Sequence, residues 1–186
     1  MKSITAVIPV RQGSQRVKNK NFREFAGKSL LEHKIDVIKK LPVNEIIINT
    51  DSEYAIELAK KCDIQYHRRE PYYASSDCTN SEYHEYLAKV TDAENILVTQ
   101  VTAPLWYKNK PINYKLDYAP NSQDLPDYFA PTFGVIIVNK EAMLKAKNFI
   151  CSKPNFYELS DTEAIDIDTE LDFDFAEFLF KRRNNA

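Results

Sequence analysis

The chain has 186 residues, 44% hydrophobic and 28% charged, with a net charge of -2, which suits one domain with a substantial core. With no general excess of base, a nucleic-acid polyanion is disfavoured as main partner, and a small anionic ligand in a local basic pocket fits better. No span approaches the roughly 20 apolar residues of a membrane crossing, and Cys62, Cys78 and Cys151 lack C-x-x-C spacing, so the expectation is a reducing, cytoplasmic setting without a zinc site.

Apolar runs rich in isoleucine and valine alternate with helical periodicity, the pattern of βαβ units in a mostly parallel sheet covered on both faces. In chain order, a strand is expected over 5–10, then a helix over 29–41 with Leu30, Leu31, Ile35, Ile38 and Leu41 on one stripe. A strand over 45–50 precedes a helix over 54–62 that repeats Ala55, Leu58, Ala59 and Cys62, and a strand over 63–67 follows. Thr79-Asn80-Ser81-Glu82 has capping-box spacing ahead of a helix over 83–90. Strands over 96–100 and 134–139, a weaker one over 156–159 and a closing helix over 169–183 complete the α/β pattern. The stretch 106–130 carries Pro111, Pro120 and Pro126 without a sustained period; loops of that length are usually functional lids or interface arms.

The first strand opens directly into Arg11-Gln12-Gly13-Ser14-Gln15-Arg16-Val17-Lys18-Asn19-Lys20-Asn21. Only three glycines occur in the chain, and two of them, Gly13 and Gly27, flank this loop. A glycine between a strand and a cluster of bases permits positive φ or a close backbone approach. Arg11, Arg16, Lys18 and Lys20 have the chemistry to contact phosphates, with backbone donors from Gly13 and Ser14. The plainer alternative is a surface turn with solvated lysines. Walker A is excluded: Gly27-Lys28-Ser29 supplies its ending, but Phe22 stands where the first glycine belongs. The dinucleotide pattern G-x-G-x-x-G is absent as well.

Near the far end, Ile165-Asp166-Ile167-Asp168 follows Asp161 and Glu163 and leads to Glu170 and Asp172. On an extended segment Asp166 and Asp168 share a face, placed to hold a divalent cation, magnesium beside a nucleotide. The alternative is an acidic first helical turn facing the helix dipole. Asp51 and Gln100 fall where strands are expected to end, so both would face the same crevice as Arg11, because ligands of open α/β sheets lie outside the carboxyl ends of the strands. His67-Arg68-Arg69 reads either as a solvated strand edge or as a base and phosphate contact.

Together these residues resemble the acylneuraminate cytidylyltransferases, the CMP-sialic acid synthetases. The resemblance is carried by Ile8-Pro9-Val10-Arg11-Gln12-Gly13-Ser14-Gln15-Arg16 with Lys20-Asn21, by Gly27-Lys28-Ser29-Leu30-Leu31, Thr50-Asp51, residues 69–77, Gln100-Val101-Thr102-Ala103-Pro104-Leu105 and Ile165-Asp166-Ile167-Asp168-Thr169-Glu170 with Asp172. It implies a single domain over 1–186 with a three-layer α/β/α, Rossmann-like nucleotidyltransferase fold and a mostly parallel, mixed sheet. It further implies transfer of CMP from CTP to the anomeric hydroxyl of an α-keto acid sugar, release of pyrophosphate, and a homodimer in which 106–130 is a dimerisation and sugar-site arm. By resemblance, Arg11, Gly13, Ser14, Lys20, Asn21, Arg69 and Gln100 bind the nucleotide, and Lys20 counters charge on the departing pyrophosphate. Asp166 and Asp168 hold Mg2+; Arg11, Lys20 and Asp168 form the catalytic set; Lys108 and Gln100 meet the sugar.

The related octulosonate cytidylyltransferases share the fold and the opening arginine, but their loop usually lacks the ending seen at Lys20-Asn21. Sialic acid enzymes often carry an arginine before the position of Leu125-Pro126, and Arg-Pro-Asn-Gly where this chain has Ala130-Pro131-Thr132-Phe133-Gly134. The acceptor is therefore expected among nonulosonates or other acidic sugars, octulosonate included, with a non-catalytic nucleotide-binding homologue as the competing class. After Leu105 the family normally continues through a helix and a central strand, whereas here Leu105 and Trp106 abut. The junction reads as a natural deletion, an engineered one or missing chain; because deleting both elements would leave a sheet gap costing more than a stability margin of about 5–15 kcal/mol, missing chain is the expectation.

Overall fold

The computed structural model covers the chain, and residues 3–14, 16–104, 134–152, 154–155 and 159–184 are described. Seven consecutive residues, Ile4–Val10, form the central strand β1, almost wholly buried. Its neighbours are β4 (Glu45–Thr50) on one side and β6 (Asn95–Thr99) on the other, both parallel to it. β5 (Gln65–Arg68) lies parallel outside β4, and β7 (Val135–Asn139) antiparallel outside β6, giving the order β5-β4-β1-β6-β7. β2 (Glu24–Phe25) and β3 (Lys28–Ser29) form a separate hairpin, whose turn needs Gly27 at φ +87°.

Helices cover both faces of the five-stranded sheet, as the mostly parallel, mixed three-layer expectation requires. On one face, α1 (Leu30–Ile38), α2 (Glu53–Lys61) and the closing helix α6 (Glu170–Asn184) pack Leu31, Ile35, Ala59, Phe173 and Ala176 against Ile8 and Ile48. Here Phe25 is fully buried, edge-on to Phe173 and Phe180. On the other face, α4 (Asn80–Ala88) and α5 (Lys140–Ala146) bury Leu87 and Met143 against Val7, Ile96 and Val98. A one-turn helix α3 (Pro71–Ala74) lies between β5 and α4.

Local chemistry sets the boundaries. Ser29 and Thr79 each cap a helix through a reciprocal box with Glu32 and Glu82, so α4 begins at Asn80 directly after its cap, earlier than the expected 83. β5 starts at Gln65 rather than 63, because Asp63 turns with φ +54°, a left-handed conformation that aspartate tolerates. α5 and the β2–β3 hairpin were not anticipated. The expected strand over 156–159 falls mostly on residues outside those described, as does the stretch 106–130.

The sequence runs directly from Leu105 to Trp106, and among the described residues no gap separates β6 from β7. β6 pairs directly with β7, from Asn95↔Asn139 to Thr99↔Val135. Within the described residues β7 thus extends the sheet beyond β6, and the Leu105-Trp106 junction falls outside those residues.

Candidate active site

In this topology successive strands leave β1 in one direction, through β4 to β5, and return on its other side as β6. Such a reversal opens a crevice at the carboxyl ends of the strands. A cleft of about 600 Å3 occupies that place, lined by Pro9 and Arg11 after β1, Arg69 after β5, and Gln100 and Thr102 after β6.

The first loop is held in place by its own sequence. Val17 is fully buried in the core, and Lys20, Phe22 and Arg23 turn back onto the carbonyls of Val17 and Asn19 at 2.8–3.2 Å. Gly13 adopts φ +82°, and the next turn is fixed by the Gln12 amide donating to Asp51 Oδ1 at 2.8 Å. Asn21 donates through Nδ2 to the Arg11 carbonyl at 3.0 Å. Arg11, Ser14, Arg16, Lys20 and Asn21 line one wall of the cleft, while Lys18 is exposed and does not line it.

Lys20 connects the loop to the acidic segment. Its buried ammonium donates to the Ile167 carbonyl and lies 3.8 Å from Asp168 Oδ1, which Arg16 Nη2 meets at 2.8 Å. Burial lowers the Lys20 pKa, opposed by the charges of Asp168 and then Asp166. The Ile167 amide donates to the Thr102 carbonyl at 3.0 Å, tying this segment to the loop after β6.

The acidic residues divide by role. Asp172 accepts from the hydroxyl of Thr169 at 2.8 Å and from the amides of Thr169 at 2.7 Å and Asp168 at 3.1 Å, a cap at the start of α6 that holds its carboxyl below the ordinary range. Glu170 pairs with Arg23 at 2.5 Å, and Glu163 accepts from Ser160. That leaves Asp161, which is exposed, and the pair Asp166 and Asp168. Asp166 Oδ1 is buried without a hydrogen-bond partner, an orphaned acceptor of the kind a cation satisfies. No group of three or more metal-ligating side chains occurs among the described residues; two carboxylates suit magnesium, which usually takes one or two and completes its shell with phosphates and water.

The opposite wall is a buried polar network. Arg69, 6% exposed, donates through Nε to Asn49 Oδ1 at 2.9 Å and through Nη2 to the Asn49 carbonyl and the Tyr83 hydroxyl. Its guanidinium also lies 4.8 Å from the Tyr83 ring centroid. Burial pushes the Tyr83 phenol up to about 12, with the Arg69 charge opposing. His67 shares this network through Asn49 and Tyr86, whereas Arg68 turns to the surface and pairs with Glu53 at 2.5 Å. Tyr73, Tyr83 and Asn80 also line the cleft. Their place on helical elements next to α4's capping box gave no signal of this. Lys28 of the rejected Walker ending pairs with Asp36 on the surface. Lys108 lies outside the described residues.

A family model described as cytidylyltransferase matches residues 5–176. The chain belongs to the cytidylyltransferase family. Among curated cytidylyltransferases, it is similar to N-acylneuraminate cytidylyltransferase of Streptococcus agalactiae serotype III (strain NEM316), 25% identical over 209 residues, covering 90% of this chain and 51% of that protein. The chain thus spans about half the length of this relative. The alignment is longer than the 186 residues available here, so the relative carries positions with no counterpart in this chain. Pseudaminic acid cytidylyltransferase of Campylobacter jejuni subsp. jejuni serotype O:23/36 (strain 81-176) is 31% identical over 115 residues, 55% of this chain and 47% of that protein. The solved 4-diphosphocytidyl-2C-methyl-D-erythritolsynthase of Anaerococcus prevotii DSM 20548 shares the nucleotidyltransferase fold: TM-score 0.61 at 16% identity, over 97% of both chains. Among the described residues no helix is long and apolar enough to cross a membrane.

Proposed function

We propose that this cytidylyltransferase-family chain transfers CMP from CTP to the anomeric hydroxyl of an acidic α-keto sugar of the nonulosonic acid class, releasing pyrophosphate. One observation carries the reading: Lys20, buried beside the cleft, reaches both the Ile167 carbonyl and the Asp168 carboxylate, so a basic loop and an acidic segment meet where phosphates would sit.

Transfer of this kind depends on positioning and charge neutralisation more than on covalent chemistry by the protein. Arg11 and Ser14 hold the triphosphate from the loop, and Arg16 and Lys20 exchange Asp168 for phosphate oxygens as the nucleotide enters. Lys20 then stands against the charge that grows on the departing pyrophosphate. Asn21, Arg69 and Gln100 hold the nucleoside; Arg69 is fixed by Asn49 and Tyr83, and therefore presents its remaining donors with little freedom. Asp166 and Asp168 would hold Mg2+, which when bound supplies charge neutralisation at the phosphates and lowers the pKa of a coordinated hydroxyl.

The nonulosonate acceptor is supported by the relatives named for acylneuraminate and pseudaminic acid. The sugar contact by Lys108 and the homodimer through 106–130 rest on the sequence resemblance alone. The test is a pyrophosphate-release screen with CTP, Mg2+ and a panel of acidic keto sugars. Release is expected only when all three are present; a folded protein silent with every sugar would contradict the proposal.

A further inference from the structure

Lys34 is a cation that the scheme above does not use. It lies on α1 and is 2% exposed. Its ammonium donates to the Ala103 carbonyl at 2.9 Å, and no carboxylate lies within 4.0 Å of it among the described residues. The preceding carbonyl, Thr102, accepts the Ile167 amide at 3.0 Å, so Lys34 is joined through one short loop to the segment that carries Asp166 and Asp168. The charge attracting Lys34 is that of Asp166, the residue whose Oδ1 is buried and unpartnered. Lys20 feels the same carboxylate.

A tie between α1 and the Ala103 carbonyl needs only a neutral donor. Burying an amine that carries its proton at mildly acidic pH is costly, and an amide would serve. The charge itself therefore calls for a function, and the group it acts on is the carboxylate with an unsatisfied oxygen. Resting on the proposed nucleotide site, we propose that Lys34 is a positioning residue that offsets the charge of the Asp166/Asp168 pair, so that the nucleotide-free protein holds a divalent cation weakly and the cation is retained only with the phosphates of CTP. The charge of the Asp166 and Asp168 pair is thus partly compensated by Lys34, and phosphate oxygens supply the negative charge that completes the site.

The test is Mn2+ binding to the whole chain, followed by electron paramagnetic resonance at mildly acidic pH, without and with CTP, for the wild type, Lys34→Met and Lys34→Gln. Both variants should bind Mn2+ at least threefold more tightly than the wild type without CTP, and the difference should shrink when CTP is present. Unchanged or weaker Mn2+ binding in a natively folded Lys34→Met protein would overturn the proposal, as would wild-type behaviour in Lys34→Gln, which keeps a donor for Ala103 but loses the charge. If Lys34→Met fails to fold, Lys34→Gln decides alone. A wild type that retains no Mn2+ even with CTP defeats the nucleotide-site reading and this proposal with it. Retention by the wild type, with all three proteins alike, defeats only the role of Lys34.

Discussion

Lys20 Nζ lies 3.8 Å from Asp168 Oδ1, and this contact joins the first loop of the chain to the segment that precedes its last helix. The lysine is buried and the carboxylate half-exposed, so the pair is screened on one side only, at the edge of a cleft lined by Arg11 and Gln100.

Lys20→Met should leave the fold intact, because Arg16 still meets Asp168 at 2.8 Å and methionine fills the stem of the buried side chain. Pyrophosphate release should fall by about 100- to 1000-fold, the usual cost of losing one preorganised charge at the reacting centre. Steady-state rates alongside circular dichroism would check this.

Asp168→Asn removes one of the two carboxylates assigned to Mg2+ while keeping the shape of the side chain. The Mg2+ concentration for half-maximal activity should rise by about tenfold or more, since a lost ligand charge weakens hard-cation binding. Asp172→Asn should leave the metal requirement alone and lower stability by about 1 kcal/mol, because Asp172 caps α6 through Thr169. Mg2+ titrations and denaturant midpoints on both variants distinguish the roles.

Arg69→Lys is expected to be far from conservative. The guanidinium makes bonds to Asn49 and Tyr83 in a buried network, and a lysine cannot reproduce that fork. Leaving those acceptors unsatisfied should cost about 1–3 kcal/mol, with weaker CTP binding as well. Urea unfolding and CTP titration would measure the two effects.

Lys34 gives the fold a pH dependence of its own. Burial lowers its pKa from 10.5 to about 7. Between those values the unfolded chain binds a proton that the folded chain does not, so stability rises with pH across this window. It is fully lost once the pH has fallen to about 7, below which both states carry the proton. The slope contributed is about 1.4 kcal/mol per pH unit, and Lys34→Met should abolish that contribution. Unfolding midpoints of the two proteins from pH 6 to 10 would show it as a converging difference.

Much of this architecture was legible because the physics is local. The apolar run of β1 followed by arginines and Gly13 marks a strand opening into a binding loop, and the boxes Ser29–Glu32 and Thr79–Glu82 announce helix starts. α5 escaped notice because Lys140–Ala146 is short and follows β7 without a break, and the β2–β3 hairpin because two-residue strands carry no period. The antiparallel direction of β7 follows from its pairing with β6, which the apolar pattern of 134–139 does not encode. At the site, Arg69 and Arg68 are neighbours in sequence, yet one is buried against Asn49 and the other exposed beside Glu53. A strand's alternation separates such neighbours only once its faces are known. Lys34 was hidden for a different reason: a lysine within an amphipathic helix reads as solvated until tertiary packing covers it.

The most direct test of the central claim is product identification by mass spectrometry after incubation of the chain with CTP, Mg2+ and individual nonulosonic acids. A CMP-sugar formed in equal amount with pyrophosphate, and lost in Lys20→Met, is the predicted result. CTP bound in the cleft with no CMP-sugar formed from any of these acids would contradict it.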